Sequence, residues 1–167
     1  MKIFSVIGLH NSGKTTAVEC LIRYIKAQNQ TVSSIKDIHA EGFTMEKEGS
    51  NSQRHLLASG SQVFARGAHE TYLIWNRQLT LEEMISHVNT EWLIIEGMNE
   101  EPLPKIIAAK NIEEIEQLLD EHVFAITGPF SEEFDSYKGI PAINARTDIS
   151  LLGDLVLRKF KNIKNIS

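Results

Sequence analysis

Residues Gly8-Leu9-His10-Asn11-Ser12-Gly13-Lys14-Thr15-Thr16 follow directly on the apolar run Ile3-Phe4-Ser5-Val6-Ile7 and precede a helical pattern. This is G-x-x-x-x-G-K-[ST] in the strand-to-helix setting that a phosphate-binding loop needs, and it confines the chain to folds that set a strand end beside a helix start. The glycines let the backbone turn tightly and approach a phosphate chain, so that successive N–H groups converge on the anion. Lys14 reaches toward the β- and γ-oxygens, Thr15 offers its hydroxyl to Mg2+, and the helix start adds partial positive charge. Gly8, His10, Asn11, Ser12, Gly13, Lys14, Thr15 and Thr16 are therefore candidate nucleotide-binding residues, His10 mainly through its backbone N–H.

Attraction for an anion has to come from this loop, because the chain as a whole carries a formal charge of −5. That balance excludes a general basic surface for nucleic acid or an anionic membrane. The 167 residues, 42% of them apolar, suit one globular domain spanning 1–167 with a sizeable core. No apolar run approaches the roughly 20 residues of a membrane span. The start Met1-Lys2-Ile3-Phe4 runs straight into the first strand, so a cytoplasmic protein is expected. The single cysteine, Cys20, allows no internal disulfide and reads as a small packing residue.

Behind the loop, Ala17, Val18, Leu21, Ile22 and Ile25 recur at three- and four-residue spacing, predicting a helix from Thr15 to about Ala27. The β-branched run 31–38 predicts the next strand and completes a βαβ unit. Residues 40–52 have little periodicity and read as a long functional loop beside the phosphate site. A short helix from Gln53 to Ser59, closed by Gly60, and strands at 62–66 and 71–75 follow. Thr80-Leu81-Glu82-Glu83 has the N-cap pattern of a helix running to about Val88. Trp92-Leu93-Ile94-Ile95 is a continuous apolar run, as suits a central strand buried on both faces. A strand at 106–108, a helix at 111–121, a strand at 122–127 and a helix from Asp148 to about Lys161 complete the pattern. This alternation predicts an α/β, three-layer αβα fold of P-loop NTPase type, with a mainly parallel sheet and ligands at its carboxyl ends.

A phosphate loop of this type needs a carboxylate at the end of a neighbouring strand to hold Mg2+. Glu96, closing the 92–95 run and followed by Gly97, is that candidate. Thr15 and Glu96 are thus the candidate metal ligands, and Lys14 and Glu96 the candidate catalytic residues. Lys36 and His39, at the end of the second predicted strand, are further candidates for a phosphate or metal contact. Arg54 and Arg66 are forks suited to an anionic phosphate or a partner surface, though exposed arginines are also ordinary.

Several segments together resemble the molybdopterin-guanine dinucleotide biosynthesis protein B (MobB) family: the loop 8–16, Ile35-Lys36-Asp37-Ile38-His39, Glu48-Gly49-Ser50-Asn51-Ser52-Gln53-Arg54-His55, Ser59-Gly60, and Ile95-Glu96-Gly97 followed by Leu103-Pro104-Lys105-Ile106. The resemblance implies a small GTP-binding, weakly GTP-hydrolysing homodimer. It also implies a partner, the guanylyl-transferring enzyme that attaches GMP to molybdopterin, with molybdopterin itself a candidate ligand. Ser52 and Lys105 enter as candidate site residues on the same ground, and GTP with Mg2+ as cofactors. Asp37 and Ala40 stand where the family often carries histidines, Asn51 replaces an acidic residue, and Glu46 matches a family Asp. The Asn-Lys-x-Asp segment with which many GTP-binding P-loop proteins read guanine does not occur. Either Thr127-Gly128-Pro129-Phe130 or Asn144-Ala145-Arg146-Thr147-Asp148 is available to line a base pocket. Two rival readings stay open: a small-molecule kinase using ATP, and a nucleotide-dependent scaffold with no turnover.

Overall fold

The computed structural model describes residues 1–40, 42–44 and 47–161. In chain order the elements are β1 (Lys2–Ile7), α1 (Lys14–Ala27), β2 (Val32–Lys36), α2 (Asn51–Ser59), β3 (Gln62–Arg66), β4 (Thr71–Trp75), α3 (Leu81–Ser86) and β5 (Trp92–Glu96). There follow β6 (Lys105–Ala108), α4 (Ile112–Leu118), β7 (Val123–Thr127), a 3-10 turn (Pro129–Glu132), β8 (Ser136–Tyr137), β9 (Ile140–Pro141) and α5 (Ile149–Lys161). The contacts divide the chain into two compact units, Met1–Asp37 with Thr90–Ser167, and Ile38–Asn89.

The first unit is built on a five-stranded sheet in the order β2-β5-β1-β6-β7. Every pairing in it is parallel. All five residues of β5 are buried, which is why its sequence shows no polar alternation. Period-two alternation sorts the side chains of the other strands onto two faces. Phe4, Val6, Trp92, Ile94, Ile106, Ala108 and Ala125 pack with Ala17, Val18, Leu21 and Ile25 of α1 and Leu152, Val156 and Phe160 of α5. Ile7, Ile107, Ala109, Val123 and Ile126 pack on the opposite face with Ile115 of α4, Phe130 and Ala142. Helices on both faces of a parallel sheet make the expected α/β architecture. The 3-10 turn and the two-residue strands β8 and β9 were not legible as elements, because each is too short for a period to show.

In the second unit, α2 begins at Asn51 and not at the expected Gln53. Ser50 is the reason: its hydroxyl accepts the Gln53 N–H at 3.1 Å and caps the helix two residues earlier. Strands β3 and β4 pair antiparallel, Phe64 opposite Leu73. Helix α3 starts on the expected capping box, with Glu83 N–H donating to Thr80 at 3.2 Å and Thr80 N–H to Glu83 at 2.9 Å. Glu46, matched above to a family Asp, lies outside the described residues.

Candidate phosphate-binding site

Strand alternation decides which side chains meet the phosphate loop. Val6, Glu96 and Lys36 stand side by side across β1, β5 and β2, on the face that α1 covers. The first turn of α1 carries Thr15. At the carboxyl end of the sheet these side chains converge: the Thr15 hydroxyl donates to Glu96 Oε1 at 2.7 Å. The Lys36 ammonium lies 2.9 Å from the same carboxylate oxygen and 3.2 Å from Thr15 Oγ1. Glu96 is 8% exposed, whereas the Lys36 side chain is 53% exposed, so the carboxylate is sheltered and its ammonium partner reaches it from the solvent side.

The loop itself is drawn against its neighbours. A Cβ on Gly8 would fall 2.3 Å from the Ala108 carbonyl oxygen and 2.4 Å from Ser12 Oγ, so only glycine fits. Ser12 is fully buried, and its hydroxyl has no hydrogen-bond partner among the described residues. Lys14 Nζ donates to the carbonyls of Gly8 at 3.0 Å and Leu9 at 2.6 Å, curling over the loop. Burial pulls the Lys14 pKa below its ordinary value; Glu96 opposes this and Lys36 adds to it.

A third lysine joins from the other side. Lys110, which follows β6, donates to the His10 carbonyl at 3.4 Å and pairs with Glu114 of α4 at 2.8 Å. Burial raises the Glu114 pKa, but the Lys110 ammonium and backbone N–H outweigh it and leave the carboxyl below its usual range. Sequence reading passed over Lys110; the available signal was its place between a strand end and the Asn111 cap of α4. The local result is three ammonium groups gathered at the loop 8–16 in a chain of net charge −5.

Lys36 is therefore brought to the loop. Lys105 is not: it opens β6 on the α4 face, where its buried ammonium is held by the Asp120 carboxylate and the Asn99 carbonyl. His39 and Ser52, with Arg54 and Arg66, belong to the second unit.

A hydroxyl and a carboxylate 2.7 Å apart are hard oxygen donors of the kind that hold Mg2+ together with phosphate oxygens and water. The Lys36 ammonium spanning both oxygens indicates that the pair already faces a cation, so the residues fit the metal. Groups of three or more His, Cys, Asp or Glu able to hold a metal by themselves are absent among the described residues. Beside the loop, both segments named above as base-pocket alternatives, around Thr127–Pro129 and Asn144–Arg146, line the same cavity as Asn11, Gly13 and Thr16. No helix among the described residues is long and apolar enough to cross a membrane.

Comparison with known proteins places the sequence and the fold. Residues 3–128 match the family described as MobB, molybdopterin guanine dinucleotide synthesis protein B. A Bacillus subtilis (strain 168) protein named a probable molybdopterin-guanine dinucleotide biosynthesis adapter protein is 27% identical, covering 95% of this chain and 93% of its own length. A Haemophilus influenzae adapter protein of the same process is 29% identical over 80% of this chain and 78% of its own. The crystal structure of Bacillus subtilis MobB matches with a TM-score of 0.77 at 27% identity, over 98% of this chain and all of that one. A Bacillus stearothermophilus MobB homologue, 18% identical with a TM-score of 0.70, shares the fold. With more than half of its length matched, this chain belongs to the molybdopterin guanine dinucleotide synthesis protein B family.

Proposed function

We propose that the protein binds GTP with Mg2+ in its phosphate loop, hydrolyses it slowly, and acts as a homodimeric adapter for the enzyme that joins GMP to molybdopterin. Membership of a family named for this synthesis, with two relatives named as adapters, supports the biological role. The observation that carries the nucleotide part is the meeting of Lys14, Thr15, Glu96 and Lys36 at the carboxyl end of the parallel sheet.

On this reading the loop N–H groups and Lys14 hold the β- and γ-phosphates, the Lys14 ammonium exchanging its loop carbonyls for phosphate oxygens. Thr15 and Glu96 would hold Mg2+, which would supply charge neutralisation to the phosphate chain. Water adds to the γ-phosphorus as its bond to the β-γ bridging oxygen breaks, giving GDP and phosphate; Lys14 and the loop amides stabilise the charge that develops. Glu96 and Glu114 are each paired with a lysine, Lys36 and Lys110. Carboxylates neutralised in this way are poor general bases, which accords with slow turnover.

Calorimetric titration with GTP and with ATP, both with Mg2+, tests the reading. Clear preference for GTP with slow phosphate release supports it. Preference for ATP with rapid transfer to a small acceptor moves the assignment to a kinase, and binding without any turnover moves it to a scaffold.

A further inference from the structure

The cavity beside the phosphate loop measures about 160 Å³. An engineered protein cavity of about 150 Å³ holds a benzene ring, so this space suits a planar heterocycle whose edge stays open to solvent. It is assembled from three stretches of chain that the fold ties together. Gly128, at φ +87°, lies so close to the loop that a Cβ there would sit 2.5 Å from the Ser12 carbonyl oxygen. Thr127 Oγ1 accepts the Ala145 N–H at 3.1 Å, which fastens the third stretch to the second. Because Asn11, Gly13 and Thr16 of the phosphate loop form one wall, a ring in the cavity lies within ribose reach of phosphates in the loop.

The polar groups lining it are not equivalent. Asn144 Oδ1 accepts the Arg146 N–H at 2.9 Å, which leaves the amide nitrogen of Asn144 as its donating end. Glu132, an exposed residue, lines the same space, and its carboxylate enters no hydrogen bond or ion pair among the described residues. An ionised carboxylate only accepts. Guanine presents two adjacent donors, N1–H and the 2-amino group, with O6 and N7 as acceptors on its other edge. Adenine places a bare N1 acceptor at the position of the first donor, and a carboxylate there meets repulsion. The lining thus contains a carboxylate able to serve the donor edge and an amide donor able to serve the acceptor edge.

We propose that this cavity receives the purine base and that Glu132 determines its identity, accepting from guanine N1–H and N2–H while Asn144 donates to the O6/N7 side. The assignment rests on the nucleotide reading of the loop, and the test separates the two. Affinities for GDP, ADP and XDP with Mg2+ are compared by calorimetry in the wild type and in Glu132→Gln. Xanthine carries a carbonyl where guanine carries its 2-amino group, so a glutamine amide complements it. Wild type is expected to prefer GDP over both competitors. Glu132→Gln is expected to lose GDP affinity by roughly 10- to 100-fold, the scale of a hydrogen bond to a charged group. It should also bind XDP more tightly than wild type does, a gain that no folding defect produces. GDP and XDP affinities unmoved by the substitution overturn the role of Glu132. Equal wild-type binding of all three nucleotides overturns base reading by the cavity while the phosphate loop stands, and binding of none removes both.

Discussion

At the scale of single residues, the proposed nucleotide site makes different predictions for Lys14 and Glu96. Lys14→Ala deletes charge-assisted hydrogen bonds to phosphate and should lower nucleotide affinity by about two orders of magnitude with an unchanged circular dichroism spectrum. Unchanged affinity in calorimetry would remove the loop from nucleotide binding. Glu96→Gln keeps the shape but halves the oxygen donors and removes the charge. It should raise the Mg2+ concentration needed for binding by roughly tenfold and leave metal-free affinity nearly alone; an identical Mg2+ titration would take Glu96 out of the site. Lys14, Thr15 and Glu96 were legible because loop spacing and the end of an apolar strand announce them. Lys110 was not, since an exposed lysine near a helix cap looks like any other. Lys105 was named by resemblance, but a side chain in a parallel sheet goes where the period of two sends it, here to Asp120.

At the scale of elements, the carboxyl ends of β1, β6 and β7 approach one another without room for side chains. A Cβ on Gly128 would sit 2.5 to 3.0 Å from backbone atoms of Ser12 and Ala109. Gly128→Ala therefore combines a backbone clash with a left-handed φ and should destabilise the protein by about 2–4 kcal/mol, read as a lower urea midpoint. It should also weaken nucleotide binding, because the Ser12 segment of the loop must move. A midpoint equal to wild type would mean that the segment after β7 does not brace the loop. The capping box of α3 was readable from Thr80 to Glu83 as a local pattern. The early start of α2 was less so, because Ser50 and Ser52 are both plausible caps until the backbone selects one.

At the scale of the whole molecule, acid is the condition to which the fold responds. Burial raises the Asp120 pKa, but the Lys105 ammonium and the His122 N–H overcome it and hold the carboxyl below its usual 3.8. Glu114 is likewise below 4.5. Glu83 is held at about 2 by Arg77 and the Thr80 N–H. Each folded pKa is lower than its unfolded counterpart, so each contribution is present in full above the unfolded value and is lost as pH falls through the folded one. The melting temperature should be flat above pH 5 and fall steadily toward pH 2. Glu83→Gln should flatten the part of that fall between 4.5 and about 2. A wild-type melting temperature constant from pH 5 to 2 would contradict the depressed values. Glu96 and Glu114, paired with Lys36 and Lys110, offset part of the positive charge that these two lysines bring beside Lys14.

Local chemistry was enough to place a loop of the phosphate-binding pattern between a strand and a helix, to alternate strands with helices into a parallel sheet, and to pick Glu96 as the strand-end carboxylate that meets Thr15 of that loop. Those conclusions depend on spacing within about a dozen residues, where period and backbone geometry speak directly. The order β2-β5-β1-β6-β7 and the register that sets Glu96 between Val6 and Lys36 belong to tertiary structure. So do the arrival of Lys110 and the cavity closed by residues 127–129 and 144–146. The pairing of β5 with β2 and β1 joins segments 60 and 90 residues apart, and hydrophobic burial decides it over the whole chain at once, so no short stretch records which neighbours its ends will meet.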